Sequence, residues 1–196
     1  AARDVPTDAS DGYNGQMSVV RRIRLVRQPE GWYSLQSDPV PALRDVMDEP
    51  CELSAQRVSG WQALAWSGRA YELELDIEWD AATDVGVAVG CSEDDSRYTS
   101  IGVTDGTIYV DRGPCDLEWC SFLPYWRAEA PIDPSSRWVH LRVLVDMQSV
   151  EVFVDAGHTV LSQQVYFMDG DEGLRLYSYE GEATFYNIVW RATDCD

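Results

Sequence analysis

Acidic side chains occupy every second position of one segment, at Glu72, Glu74, Asp76 and Glu78. If this segment is a β-strand, the carboxylates share one face at a spacing of ~7 Å. Such a row can accept hydrogen bonds from sugar hydroxyls while a nearby arginine fixes the geometry, so Glu74 and Asp76 are candidate ligand-binding residues. The alternative is a face that is solvated, or one that packs against arginines of a neighbouring strand or a partner domain.

Glycoside hydrolysis would place stricter demands on the same carboxylates. It needs two of them ~5 to 10 Å apart across a sugar, one with a raised pKa, and an exposed row offers no such difference in environment. No catalytic residue is therefore predicted, and an enzyme in its own right is the weakest of the functional hypotheses.

A second group of candidate residues lies in a segment rich in aromatics, residues 113–134. Trp119, Tyr125 and Trp126 could receive the apolar faces of sugar rings while nearby polar groups orient the ligand. Long segments without regular structure often carry function or hold an interface together. The alternative is that these aromatics pack on their own domain or on a partner.

Arg97 and Tyr98 form a further candidate spot beside the acidic turn at residues 93–95. The planar fork of an arginine recognises vicinal hydroxyls and carboxylates, and a plain salt bridge is the alternative. The two histidines, His140 and His158, are predicted to be outward or half-buried strand residues.

The charge balance excludes whole classes of function. The 196 residues contain 15 arginines, no lysine and 34 acidic residues, which gives a formal net charge of −19. Nucleic acids and anionic membrane surfaces are bound through a basic face, so neither is a predicted partner. No run of the sequence approaches the ~20 apolar residues that span a bilayer.

The five cysteines and two histidines lack the spacing of a metal site, and no metal or cofactor is predicted. Cys115 and Cys120 flank a short loop and could form a disulfide, whereas inert buried thiols are the alternative. A disulfide would fit a secreted protein, and we expect an extracellular location.

Apolar and polar residues alternate along much of the chain, which is typical of strands with one buried face and one solvated face. The predicted strands are residues 71–79, 85–91, 97–104, 107–111, 139–145, 150–154, 159–166, 173–179 and 183–191. The turn signals between them include Asp105-Gly106, Ala156-Gly157, Asp169-Gly170 and Gly181. Many short strands without helices indicate an all-β fold, a two-sheet antiparallel β-sandwich of the lectin-like jelly-roll type.

The first part of the chain has a different pattern. Residues 1–15 are polar and rich in aspartate, which predicts a linker, and residues 16–196 are assigned to the sandwich domain. Residues 17–26 and 32–36 predict a hairpin, which ends at two prolines that cannot donate to a strand ladder. Residues 41–48 could hold one turn of helix.

Several segments resemble the C-terminal β-sandwich of glycoside hydrolase family 32, which contains invertases, levanases and inulinases. The most specific is the segment from Asp146 to Asp155, which is similar to a signature of that domain. The other matching segments are Gln36–Val40, Thr104–Arg112 with its Tyr-x-Asp-Arg ending, Gly173–Tyr177 and Ala183–Phe185. The resemblance covers roughly residues 15–191 and extends to the related carbohydrate-binding modules of family 66.

The resemblance also implies where the chemistry is. In this family the catalytic residues lie in a five-bladed propeller that precedes the sandwich, in Trp-x-Asn-Asp-Pro, Glu-Cys-Pro and Arg-Asp-Pro motifs. None of these motifs occurs here: Asp38-Pro39 and Asp133-Pro134 do not follow an arginine. The resemblance therefore implies a non-catalytic sandwich that packs on a propeller of the same precursor, with residues 1–15 as the alternative tail of that propeller.

Two functions follow from the resemblance, and both stay open. The first is an accessory domain that stabilises the catalytic propeller, with the hairpin and the tryptophan-rich loop facing that partner. The second is a lectin-like module that binds the terminal fructose of levan, inulin or sucrose.

Overall fold

The computed structural model describes residues 16–115 and 126–193, and within them the chain forms thirteen strands. The strands are β1 (Arg21–Arg27), β2 (Tyr33–Pro39), β3 (Cys51–Leu53), β4 (Gln56–Ser67), β5 (Tyr71–Trp79), β6 (Asp84–Cys91), β7 (Thr99–Thr104), β8 (Thr107–Asp111), β9 (Arg127–Pro131), β10 (Trp138–Asp146), β11 (Ser149–Val154), β12 (Thr159–Gln164) and β13 (Gly173–Ala192). Short 3-10 helices span Pro41–Val46 and Gly113–Cys115. The pairings between these strands are antiparallel, as the alternating pattern predicts.

Two sheets pack around one core and share the long strand β13. The first sheet has the order β12-β11-β10-β5-β13, and the second continues from β13 to β6, β7, β8 and β9. Strand β13 serves both sheets because its register shifts between Ser178 and Ala183, a bulge that bends the strand. Residues before the bend pair with β6, and residues after it pair with β5. The predicted two-sheet antiparallel β-sandwich is confirmed.

The core lies between the two sheets and is built by the inward positions of the alternating strands. Leu73, Leu75 and Ile77 of β5 are fully buried, as are Val87 of β6 and Leu141 of β10. Each such aliphatic side chain contributes about 1.5–3 kcal/mol on burial. The acidic row therefore lies on the opposite face of β5.

Four features differ from the predicted strands, and the first is the short strand β3, which was not predicted. Strand β4 was not predicted because apolar residues occur on both of its faces: Leu64 lies in the core, and Trp61 packs on the outer side, which also carries the exposed Ser59. Strand β9 lies within the segment that was predicted to be a loop. The two strands predicted after Gly173 are one continuous strand, because the bulge bends β13 without ending it.

The N-terminal segment lies against the first sheet. Strands β1 and β2 form the predicted hairpin as a separate two-stranded sheet, and the predicted turn of helix is the 3-10 helix after it. The Val19 amide donates to Glu151 Oε1 at 2.6 Å, and the Ser37 amide donates to the Gly157 carbonyl at 2.9 Å. Residues 1–15 lie outside the described residues, so their assignment as a linker or a propeller tail stays a prediction.

Candidate functional site

The first member of the acidic row, Glu72, is fully buried among three arginines. Its carboxylate accepts hydrogen bonds from Arg142 Nε at 2.6 Å, Arg191 Nη1 at 2.9 Å and Arg44 Nε at 3.1 Å. Strand β5 lies between β10 and β13, so two of these arginines come from its neighbours in the sheet. Arg44 comes from the 3-10 helix that covers this end of the row. This part of the row is therefore a packed ionic cluster.

The next two members of the row also have partners: Glu74 is partly exposed and Asp76 is buried. Glu74 Oε2 accepts from Arg44 Nη2 at 2.7 Å, and Glu74 Oε1 lies 3.6 Å from His140 Nε2. Asp76 Oδ1 lies 2.8 Å from His140 Nδ1, and Asp76 Oδ2 accepts from the Asn187 amide at 2.6 Å. His140 thus bridges two carboxylates of β5.

These contacts shift the pKa values of both partners in opposite directions. The contact with His140, assisted by Arg44, lowers the pKa of Glu74 to about 2, although partial burial opposes the shift. The same contact with Glu74 raises the pKa of His140 above 6.5, and Asp76 adds to this effect against partial burial. An ionised Glu74 beside a protonated His140 is consequently the stable arrangement at mildly acidic pH.

The His140 contacts predict a pH dependence of stability. The stabilisation from Glu74 is present above pH 4.5 and is lost as the pH falls through about 2. The stabilisation from His140 is complete below pH 6.5 and is lost as the pH rises through its raised folded pKa. We expect His140→Gln to lower the free energy of unfolding by about 1–2 kcal/mol at pH 5–6 and by less at pH 9. Urea unfolding from pH 2 to 9 measures this difference.

The other histidine supplies the matched control for this experiment. His158 is exposed on the turn after β11, where its Nε2 lies 2.6 Å from Gln36 Nε2. His158→Gln removes an imidazole without touching the acidic row. A loss from His140→Gln that stays constant across the whole pH range would contradict the charge-based explanation.

The remaining predicted residues lie in the connections before β7 and β9 or outside the described residues. Arg97 Nε donates to Asp171 at 3.0 Å and Arg97 Nη2 donates to the Tyr166 carbonyl at 2.7 Å, so its fork joins two segments of the chain. Trp126 is 41% exposed just before β9. Trp119 and Tyr125 lie outside the described residues. A role of these residues in ligand binding stays a prediction.

An aromatic cluster on the outer side of the second sheet was missed by the sequence analysis, apart from Tyr98. Trp61 stacks on Tyr177 with a centroid distance of 5.6 Å and meets Tyr98 edge-on at 5.0 Å. The Tyr177 hydroxyl lies 2.8 Å from that of Tyr109, and burial raises the pKa of both phenols. Trp61 belongs to strand β4, which was not predicted, so nothing in the sequence indicated that these aromatic side chains lie together.

The β1–β2 hairpin presents an apolar face to solvent. Leu25 and Leu35 are directly opposite each other in the register and are 65% and 63% exposed. Ile23 and Tyr33 lie on the same face and are more than half exposed. We call these four residues the hairpin face. Contiguous exposed apolar side chains are typical of an interaction surface rather than of a solvated strand.

Residues 45–191 match the family model described as "Glycosyl hydrolases family 32 C terminal". This chain belongs to that family. A relative of the family 32 domain, the levanbiose-producing levanase of Bacillus subtilis (strain 168), is 37% identical over 195 residues. The match covers 98% of this chain and 37% of the levanase. A sucrose-6-phosphate hydrolase of Escherichia coli is 22% identical over 187 residues, covering 92% of this chain and 35% of that protein.

Solved structures show the same fold. Exo-inulinase from Aspergillus awamori matches with a TM-score of 0.82 at 19% identity, over 98% of the family 32 domain and 38% of the inulinase chain. Fructan 1-exohydrolase IIa from Cichorium intybus matches with a TM-score of 0.72 at 14% identity, over 87% and 40% of the two chains. This chain thus spans well under half the length of these relatives.

The segment that best carried the resemblance is a regular hairpin in the family 32 domain. Asp146 ends β10 and Ser149 begins β11, and the two residues are paired across the turn. The resemblance to family 32 is confirmed, whereas the relation to the carbohydrate-binding modules of family 66 stays a prediction.

The described residues of the family 32 domain contain neither a metal-binding cluster nor a membrane-spanning helix. Among them, no three His, Cys, Asp or Glu side chains are placed to hold a metal ion, and no helix is long and apolar enough to cross a membrane. Cys91 and Cys115 are buried thiols and Cys51 is an exposed one. Burial raises the pKa of the Cys91 thiol to about 12, which disfavours the reactive thiolate.

Proposed function

We propose that this chain is the non-catalytic C-terminal sandwich of a β-fructan-acting glycoside hydrolase. It packs on the catalytic propeller of the same precursor and stabilises it. Membership of family 32 supports this proposal, as do relatives that are named levanase and exo-inulinase and of which this chain spans less than half.

The hairpin face is the single observation that carries the proposal. Its four apolar side chains are exposed although the hairpin is anchored to the first sheet by Val19 and Ser37. Burying such side chains against a partner contributes about 1.5–3 kcal/mol for each large one. A second domain that covers this face removes the cost of leaving it in water.

A chimera tests the proposal directly. In it, this chain replaces the matched 195 residues of the levanbiose-producing levanase of Bacillus subtilis. We expect the chimera to hydrolyse levan and to unfold at a higher temperature than the same levanase from which the matched segment has been deleted. A chimera that is no more stable than the deleted enzyme would contradict the proposal.

Recognition of fructan by the sandwich itself is a second candidate function. Trp138 is 42% exposed, lies opposite the exposed Glu78 of β5, and shares a face of β10 with the partly exposed His140. An exposed indole beside polar groups suits a sugar ring. Calorimetry of this chain with fructose, sucrose and levan tests this function, and no heat with any of the three excludes it.

A further inference from the structure

A cleft of about 400 Å³ opens at the end of the sandwich where β5 ends and β10 begins. Three connections form its walls: residues 82–83 before β6, the Asp105-Gly106 turn between β7 and β8, and residues 132–137 before β10. Its volume falls in the range of small-molecule sites in proteins. It lies apart from the hairpin face, from the ionic cluster around Glu72 and from the aromatic cluster of the second sheet.

The walls of this end cleft are held together by hydrogen bonds. The Thr104 hydroxyl donates to the Thr83 carbonyl at 2.9 Å. The Ile132 amide donates to the Gly106 carbonyl at 2.9 Å, and the Trp79 amide donates to the Arg137 carbonyl at 3.0 Å. Gly106 has φ +71, and a Cβ there would lie 2.9 Å from Pro134 Cβ. Because the connections already touch, the cleft is preformed, and a ligand would not have to order it.

The inner surface of the end cleft combines an apolar floor with a polar rim. Trp79 is 8% exposed and lines the cleft together with Val103 and Ile132, all of which pack in or against the core. The polar residues that line it as well are Thr83, Thr104, Ser136, Asp105, Asp133 and Arg137. Donors and acceptors around an apolar floor match the C–H faces and the hydroxyls of a sugar.

The charged groups of the rim are held in place. Asp133 accepts hydrogen bonds from the Ser135 amide at 2.8 Å and the Ser135 hydroxyl at 2.7 Å, which lower its pKa and keep it ionised. Arg137 Nη1 donates to the carbonyls of Pro134 at 3.0 Å and Ser136 at 2.9 Å. Within the described part of the chain, no acceptor is assigned to Arg137 Nε or Nη2.

The balance of charge in the end cleft selects the class of ligand. Asp105 and Asp133 outnumber Arg137, so a phosphate or a carboxylate would be repelled, whereas a neutral polyhydroxyl ligand can use both donors and acceptors.

We propose that the end cleft binds one neutral sugar ring, the terminal unit of a β-fructan, with Arg137 as its principal donor. This inference rests on the second candidate function, and it places the sugar in the end cleft rather than on the exposed Trp138, which does not line the cleft. The turn after β11 lies at the same end of the sandwich, because the Asp155 amide donates to the His140 carbonyl near the start of β10. This turn also supports the hairpin, because the Gly157 carbonyl accepts a hydrogen bond from the Ser37 amide. A sugar bound in the end cleft therefore lies at the end of the sandwich that contacts Ser37 of the hairpin.

Titration calorimetry of this chain with fructose, sucrose and a levan oligosaccharide tests the proposal. We expect Arg137→Ala to weaken the affinity by about tenfold or more, because a hydrogen bond from a charged group is lost. Arg57→Ala is the matched control, since Arg57 lies on β4 and pairs with the exposed Glu182.

A second readout does not depend on the variants. With indole-¹⁵N labelling, the Trp79 resonance should shift on addition of sugar, whereas that of Trp61 in the aromatic cluster should not. If sugar binds but the Trp79 resonance does not shift, or if Arg137→Ala does not weaken binding, the end cleft is not the binding site. The second candidate function would still stand. Absence of binding by the unmodified chain overturns both.

Discussion

Replacing Glu72 by glutamine is expected to lower the free energy of unfolding by about 3–5 kcal/mol. The side chain is completely buried, and its carboxylate is the shared acceptor of Arg44, Arg142 and Arg191. Glutamine keeps the volume but removes the charge, so three guanidinium groups remain close together, and among the described carboxylates only Glu74 stays within ion-pair distance of two of them. Urea denaturation at pH 7 measures the loss.

A surface ion pair gives the matched control for this prediction. Glu182 pairs with Arg57, and both side chains are largely exposed. Exposed pairs contribute ~0–1 kcal/mol, so Glu182→Gln should have little effect. If the two glutamine variants were equally stable, Glu72 would not be the centre of an ionic cluster, and the structural explanation of the acidic row would be wrong.

The sequence revealed the acidic row but not what surrounds it. Alternation along residues 71–79 fixes which side chains share a face, and this was enough to predict β5 and its buried side. It does not identify the neighbouring strands. Arg44 precedes Glu72 by 28 positions, and Arg142 and Arg191 follow it by 70 and 119. The choice between a sugar-binding row and a row paired with arginines therefore depended on the sheet order.

The end cleft and strand β4 show the same limit in another form. The cleft joins three connections whose sequences are ordinary turn signals. Two of them meet where the Ile132 amide bonds to the Gly106 carbonyl and where Gly106 lies close to Pro134. Strand β4 has apolar residues on both faces because Trp61 covers the outside of the second sheet. Strand prediction from alternating polarity assumes one buried face and one solvated face, and it fails where apolar residues lie on both faces of a strand.

A double substitution in the hairpin face, Leu25→Glu with Leu35→Glu, is expected to abolish the stabilising effect of this chain in the chimera with the levanase. The two side chains are opposite each other and more than half exposed, so the substitutions hardly disturb the isolated sandwich. In contact with a second domain, they would remove roughly 3–6 kcal/mol of apolar burial and place two charges in the interface. Thermal unfolding of the chimera should fall to the temperature of the levanase that lacks the matched segment.

The opposite side of the same hairpin supplies the control. Arg22 is exposed on the face that Leu25 and Leu35 do not share, because alternate residues of a strand point to opposite sides. Arg22→Glu therefore changes the charge of the hairpin without changing the hairpin face, and the chimera should keep its unfolding temperature. Equal losses from both variants would show that charge, and not the apolar face, governs docking. If the chimera with Leu25→Glu and Leu35→Glu kept its unfolding temperature, the interface would lie on another part of the sandwich.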